Sequence, residues 1–366
     1  MAETRVTPGL SPTIWDDKFS TEFFQKNPFA AYSGTSSNNP IVMKEDFASK
    51  RGNGITFEFI TNLKRGTIYD RQPLRGHEDQ LGEYGDRVSW RMRKKGISMH
   101  EVDRDLAAID LRDAAKMSLK TWANEDVKWE TIDRLGDVGS NCDVPFATAT
   151  TAEKNAWCAA QSDRVLFGAS TANYSATFAT AVGNVDTTND KLTRNALSAM
   201  AVIAGTASPR ISPIEIEELN YKKFYVAFAH PFVFNGFRQD TESVRSIVTL
   251  VKENKSIFSG GDLEYDGIIL HKVDDMPIYT GIGNGSSDVS PVYLLGQEAL
   301  GWAIKSRYAT RIQKDDYDTV EGIGMIGKWG MKKLCYSGTF TNDAQDATVL
   351  GKQRGVVTGF FSAVGV

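Results

Sequence analysis

Cysteine is scarce in these 366 residues: Cys142, Cys158 and Cys335 are the only three, and no C-x-x-C occurs. An odd, widely spaced set supports neither a disulfide framework nor a Cys-ligated zinc site, and points to synthesis in a reducing cytosol. The four histidines, His77, His100, His230 and His271, are as scattered, and His77-Glu78 does not extend to H-E-x-x-H because Leu81 holds the last place. A basic surplus is also missing. The 42 Lys and Arg stand against 46 Asp and Glu, a net charge of −4, which excludes a free-standing polycationic nucleic-acid binder. No apolar run approaches the roughly 18 residues of a membrane-spanning helix. MAETRVTPGLSPT lacks the apolar core of a secretory signal, so no membrane is expected among the partners.

What is present is a globular composition, 41% apolar and 10% aromatic, with length for two or three domains at about 150 residues each. The first fifty residues read as an arm, because Pro8, Pro12, Pro28, Pro40 and the run SGTSSNN interrupt any long element. A short helix near Asp16 to Lys26 would place Phe19 and Phe23 on one face. Trp15, Phe19, Phe23, Phe24 and Phe29 are costly to leave exposed, so the arm is expected to dock on another surface.

From Gly54 the pattern turns to period two, Ile55, Phe57 and Phe59 alternating with Thr56, Glu58 and Ile60, and a second strand is read at 88–92. Between them a glycine-punctuated stretch reads as a long irregular tip, making the whole an antiparallel ribbon. Lys64 to Lys95 holds nine basic and five acidic residues, a +4 ribbon against a −8 remainder. A lone two-stranded ribbon is marginal in water and needs a surface. That surface is either a neighbouring copy, steered by opposite charge, or the ribbon's own domain; the pattern alone fits both.

A long helix follows, from Asp103 as cap to Gly136, with a slight break at 124–126. Residues 139–190, rich in Ala, Thr, Ser and Asn, read as a loop-rich insertion with one helix near 152–162. A helix is expected at 191–204, a buried strand over YVAFAHPFVFNGF, an amphipathic helix at 241–253, and two short strands around Asp274-Asp275. Helix and strand mix without a βαβ rhythm, so the fold class is α+β.

No catalytic constellation emerges, and neither cofactor nor metal is called for. The nearest is Gly322 to Lys328, which satisfies G-x-G-x-x-G and nearly a phosphate loop. Trp329 stands where a magnesium-binding hydroxyl belongs, and no apolar strand precedes it. Glycines in a turn-rich segment between strands account for it better.

The order of arm, ribbon, spine-like helix, α+β body and return strand resembles a tailed-bacteriophage major capsid protein of HK97-like fold. The strings GNGITFEFITNLKRGTIYDRQPLRGHEDQL, DLRDAAKMSLKTWANE, FSGGDLEYDGIIL, VYLLGQEALGWAI and GMIGKWGMKKLCY, over roughly 50–345, are similar to the phage-N-four-like major capsid protein family. Two places depart from it: Asp318 stands where a glycine is expected, and 139–190 is longer than the family's connection.

The resemblance implies an N-terminal arm (1–52), an extended loop (53–100), a peripheral domain with a spine helix and the insertion (101–195), an axial domain (196–325), and a return strand with a C-terminal tail (326–366). It implies a non-enzymatic shell subunit forming pentamers and hexamers around phage double-stranded DNA, in the virion after synthesis in the bacterial host cytoplasm. Scaffolding, portal and decoration proteins would be further partners, with weak non-specific DNA contact. Arg65, Arg71, Arg75, Arg87 and Arg91 of the ribbon, with Phe19 and Phe23 of the arm, become the candidate inter-subunit contacts. A virion decoration or receptor-binding module and a nucleotide-binding enzyme using Gly322 to Lys328 are the competing classes.

Overall fold

The computed structural model describes residues 27–45, 52–60, 67–71, 73, 75, 78, 83–107, 110–216, 222–239, 263–337 and 348–363. The strands and α-helices in chain order are β1 (Ser33–Gly34), β2 (Ile41–Lys44), β3 (Gly54–Ile60), β4 (Glu83–Ser89), β5 (Arg91–His100), α1 (Glu101–Leu106), α2 (Leu111–Leu135) and α3 (Thr151–Ala160). Then come β6 (Val165–Phe167), α4 (Phe178–Gly183), α5 (Arg194–Thr206), β7 (Ile214–Ile216), β8 (Lys222–Ala229) and α6 (Pro231–Gln239). The remainder is all strand: β9 (Leu263–Tyr265), β10 (Ile268–Lys272), β11 (Val289–Leu295), β12 (Leu300–Asp315), β13 (Val320–Lys333) and β14 (Val356–Ser362). Two compact units divide these residues: a smaller one of Met92–Val127 and Arg307–Lys328, and a larger one of Pro28–Arg91, Lys128–Ser306 and Trp329–Val366.

The larger unit is built on a seven-stranded mixed sheet ordered β6-β14-β11-β8-β10-β9, with β7 also on β8. Every residue of β11 and β14 is buried. Continuous apolar runs are what a sheet covered on both faces requires. On one face, Leu197, Met200 and Ala204 of α5 and Val233 and Phe237 of α6 pack on Ala227, Leu270, Val292, Leu294 and Phe361. On the other, Ile132 and Leu135 of α2 join Phe29, Tyr32 and Ile41 against Val226, Phe228, Tyr293 and Val356. Each fully buried large side chain contributes roughly 1.5–3 kcal/mol by leaving water.

Several sequence expectations change here for identifiable reasons. The run YVAFAHPFVFNGF is not one strand: β8 stops at Ala229 and α6 starts at Pro231, where proline's fixed φ and missing N–H suit the first helical position. The short hairpin turns at Asp266-Gly267, both with positive φ, and not at Asp274-Asp275; Asp-Gly is the sequence that a tight hairpin turn prefers. The long helix expected from Asp103 is two elements, α1 ending at Leu106 with Ala107 in extended backbone and α2 starting at Leu111 and running unbroken through 124–126. Asp110 caps the new start by accepting from the backbone N–H groups of Arg112 and Asp113. The α1 cap is His100, not Asp103.

The insertion 139–190 is folded. It holds α3 as expected, closed by a Thr150–Glu153 capping box, plus β6 and α4, and its Trp157, Phe167, Phe178 and Val182 form a core with Phe360. Phe29 of the arm also docks within its own unit, its ring 4.5 Å from that of Phe228. The expected helix at 241–253 lies outside the described residues.

The smaller unit sets the first half of α2 on one face of a sheet in which β13 lies between β5 and β12. Ala115, Leu119 and Ala123 pack on Met99, Ile323 and Met325. Polar clasps fix the register: Arg93 reaches Asp126 at 3.1 Å, Tyr308 donates to the same carboxylate at 2.6 Å, and Glu321 pairs with Arg104 and Arg112 at 3.0 and 3.2 Å. At the β12–β13 turn Asp316, Tyr317 and Asp318 take φ of 47, 53 and 71°. Left-handed backbone is what glycine would supply, which explains the glycine expected at Asp318.

Candidate assembly interface

The ribbon is anchored in the larger unit. β3 and β4 pair antiparallel with Ile55 opposite Val88, Phe57 opposite Asp86 and Phe59 opposite Tyr84, so these six side chains share one face. That face is buried on Val42, Ala303, Leu334, Tyr336 and Val349, with Tyr336 edge-on to Phe59 and Tyr84. At its centre is a charge. Asp86, 1% exposed, accepts from Lys332 Nζ at 2.5 Å and from the Cys335 backbone N–H at 3.1 Å, while Ser337 Oγ donates to Gly85 O. Burial, opposed by Lys332 and the Cys335 donors, raises the Asp86 carboxyl above its ordinary value. The base of the ribbon therefore lies on its own body.

The ribbon's second strand is β4, ending at Ser89, five residues earlier in its start than the sequence pattern indicates; β5 is a separate strand of the smaller unit. The charge arithmetic changes with it. From Gly54 to Ser89 there are five basic and six acidic residues, while Arg91, Arg93, Lys94 and Lys95 belong to β5. The basic element is the sheet of the smaller unit, not the ribbon.

Among the described residues, α2 covers one face of that sheet and leaves the other uncovered. Arg93, Met99, Tyr308, Glu321, Ile323 and Met325 face α2. By strand alternation Lys94, Gly96, Ser98, Arg307, Ala309, Arg311, Gly322, Gly324, Ile326 and Lys328 face the other way. The β5 and β12 members of this set are exposed. No carboxylate occurs in 92–98, 307–313 or 322–328. The Gly322 to Lys328 string is thus the middle of a strand. A phosphate loop needs a turn leading into a helix N-terminus, and here neither follows.

The family model described as phage capsid protein matches residues 3–350. The chain belongs to that family. No curated protein matches it in sequence. Among solved structures, the cyanophage Pam1 capsid asymmetric unit is similar over all of both chains at 28% identity, with a TM-score of 0.86. The capsid of Ralstonia phage GP4 is similar at 20% identity over 100% of this chain and 99% of that one, TM-score 0.75. The acid-stable capsid of Helicobacter pylori bacteriophage KHP30 follows at 13% identity over 95% and 94%, TM-score 0.69, and these last two speak for the fold. It is the HK97-like fold, and the role is that of a major capsid protein.

In this capsid protein the sequence-derived contact residues fall into three groups. Arg71 and Arg75 are exposed on the connection beyond the ribbon base; Arg87 is exposed on β4, where it donates to Asn53; and Arg91 is exposed at the start of β5. Arg65, Phe19 and Phe23 lie outside the described residues. Sequence reading missed the Asp86–Lys332 anchor, which joins residues 246 apart. It also missed the open face, although the alternation of Gly322 and Gly324 with Ile323 and Met325 carried the signal.

The capsid protein holds a second buried carboxylate that gives stability a pH dependence. Asp137 Oδ2 takes Arg134 Nη1 at 2.8 Å, while Oδ1 has no hydrogen-bond partner. Burial pushes this carboxyl up to about 6, against the pull of Arg134 and Lys333. A folded-state value above the unfolded one means that the folded state binds the proton more tightly. Asp137 therefore adds stability at low pH that is lost as pH rises through about 6. Urea unfolding of the wild type should gain about 1 kcal/mol between pH 7 and pH 5 relative to Asp137→Asn. Parallel pH profiles for the two proteins would refute the assignment.

Proposed function

We propose that copies of this capsid protein close an icosahedral shell of pentamers and hexamers around phage double-stranded DNA, with the ribbon's connection, residues 61–82, reaching the adjacent copy. The observation carrying this is the ribbon's construction. Its base is fixed to its own body by an apolar face and a buried ion pair, yet its strands end at Ile60 and Glu83 with Ile60 67% exposed and 22 residues still between them. Exposed Tyr69, Arg71 and Arg75 on that connection suit a partner surface.

In this reading the smaller unit, with the first half of α2 as spine, serves the peripheral role, and the helices and sheet of the larger unit serve the axial one. Synthesis takes place in the host cytoplasm, and scaffolding, portal and decoration proteins bind the assembled shell. DNA contact is weak and non-specific, because a net −4 chain lacks the phosphate-neutralising surplus that would hinder genome loading and release.

Electron microscopy of the expressed protein tests the proposal. Rings, tubes or closed shells are the expected outcome, and a monodisperse monomer at high concentration counts against it. Counting copies per purified particle separates a shell subunit from a decoration module.

A further inference from the structure

The insertion and the segment just after β13 meet at two thiols that the shell reading leaves unused. Val138 and Val144 pair through two backbone hydrogen bonds, 2.8 and 3.1 Å, and close a tight loop of residues 139–143. Ser140, Asn141 and Asp143 of that loop are exposed, while Cys142 is fully buried. Its φ of 50° is left-handed backbone, which glycine adopts freely and a residue with a Cβ adopts at a cost. Cys335, also fully buried, is held fast: its backbone N–H donates to Asp86 Oδ2 at 3.1 Å and its backbone bridges to Gln353. Cys335 Sγ lies 3.2 Å from Asn141 O, and the two thiols hydrogen-bond to each other. That bond and the charges of Lys333 and Lys332 hold the Cys142 thiol below its ordinary value against burial, while the same bond and burial push Cys335 well above it. The third thiol is unlike either: Cys158 donates to Ser175 O at 3.0 Å and is pushed up to about 12 by burial.

We infer that Cys142 and Cys335 form an oxidation site, converted by a hydroperoxide to a disulfide within the chain that locks the insertion to the segment anchoring the ribbon. Cys142, as thiolate, attacks one peroxide oxygen; the O–O bond breaks, hydroxide leaves and a Cys142 sulfenic acid remains. The Cys335 sulfur then attacks Cys142 Sγ, the S–S bond forms, and the sulfenic oxygen leaves as water with the Cys335 proton. Two thiols and one hydrogen peroxide give one disulfide and two waters. Opening of the 139–143 loop, whose tip residues are already exposed, admits an oxidant this small. A reducing cytosol keeps both thiols free while the chain folds, and the bridge forms once the chain has left it. Because the bridge closes a long loop, it restricts the unfolded chain and raises stability. The gain falls at the ribbon's anchor, since the Cys335 backbone N–H holds the Asp86 carboxylate.

The test treats the purified, pre-reduced full chain with hydrogen peroxide and maps its peptides without reduction. A linked Cys142–Cys335 peptide pair is expected, about 2 Da lighter than the two thiol peptides together, with Cys158 still a free thiol. The oxidised chain should unfold about 3–8 °C above the reduced one, and a dithiol reductant should reverse the shift. In Cys335→Ser the Cys142 sulfenic acid lacks its resolving thiol and should be trapped by dimedone, whereas in Cys142→Ser residue Cys335 should stay unlabelled. Wild-type protein whose thiols all survive, that links through Cys158, or that stops at sulfinic acid overturns the inference. So does a bridge that leaves the unfolding midpoint unchanged. The wild-type readings depend on no variant folding and on no particle forming, so their failure leaves the shell reading standing.

Discussion

Replacing residues 61–82 by Asn-Gly leaves a folded subunit that no longer forms particles. The cut is set by the register: Ile60 pairs directly with Glu83, so a two-residue turn of the type that Asn-Gly favours closes the hairpin without disturbing β3 or β4. The face that holds the ribbon to its own body, Phe57, Phe59, Tyr84 and Val88 on Leu334 and Tyr336, lies entirely inside the retained residues. Stability in urea should therefore stay within about 0.5 kcal/mol of wild type, as for a surface change away from buried features. Assembly depends on the removed residues if they form the inter-copy contact. Particle yield by sedimentation and electron microscopy should fall at least a hundredfold. Intact shells from the shortened chain would remove the ribbon from the inter-copy contacts.

Asp86→Ala attacks the anchor instead and should destabilise the subunit by about 3–5 kcal/mol, the usual cost of deleting one member of a buried ion pair. Two groups are orphaned at once. Lys332, with its side chain 15% exposed, keeps a charge without its carboxylate, and the Cys335 backbone N–H loses its acceptor in a buried site. Because the cost lies in the orphaned charge and not in loss of a net attraction, Asp86→Leu with Lys332→Met should recover much of it. Recovery stays incomplete, since the Cys335 N–H still lacks a partner, worth about 1–3 kcal/mol. Urea unfolding of the three proteins checks the order wild type, double variant, single variant. A single variant within 1 kcal/mol of wild type would show that Lys332 is solvated as the ribbon stands.

The readable parts of the fold were those fixed by local periodicity. Alternation of Ile55, Phe57 and Phe59 marked β3, and the helical spacing of Ala196, Met200 and Ile203 marked the body of α5. Errors arose where a local signal was outweighed or overlooked. A single apolar run hid the β8–α6 boundary although Pro231 announced it, and the Thr150–Glu153 capping box lay unused in a segment whose small residues resembled a loop. Val88, Trp90 and Met92 alternate as a strand should, but the residues before and after Trp90 belong to different sheets. That distinction moved the positive charge from the ribbon to β5, reversing the charge argument made from composition.

By itself the sequence determined a globular, near-neutral composition, and its order of elements carried the resemblance to a phage capsid fold. These are sums over the chain or short-range patterns, which survive without coordinates. Tertiary structure decided which side of each strand is covered. Asp86 became an anchor because the fold brings Lys332 and Cys335 to it from 246 and 249 positions away. Gly322 and Gly324 stand on the face of β13 that α2, among the described residues, leaves uncovered. A glycine that relieves a clash and one that leaves a face open are identical in sequence, and only the atoms across the sheet distinguish them.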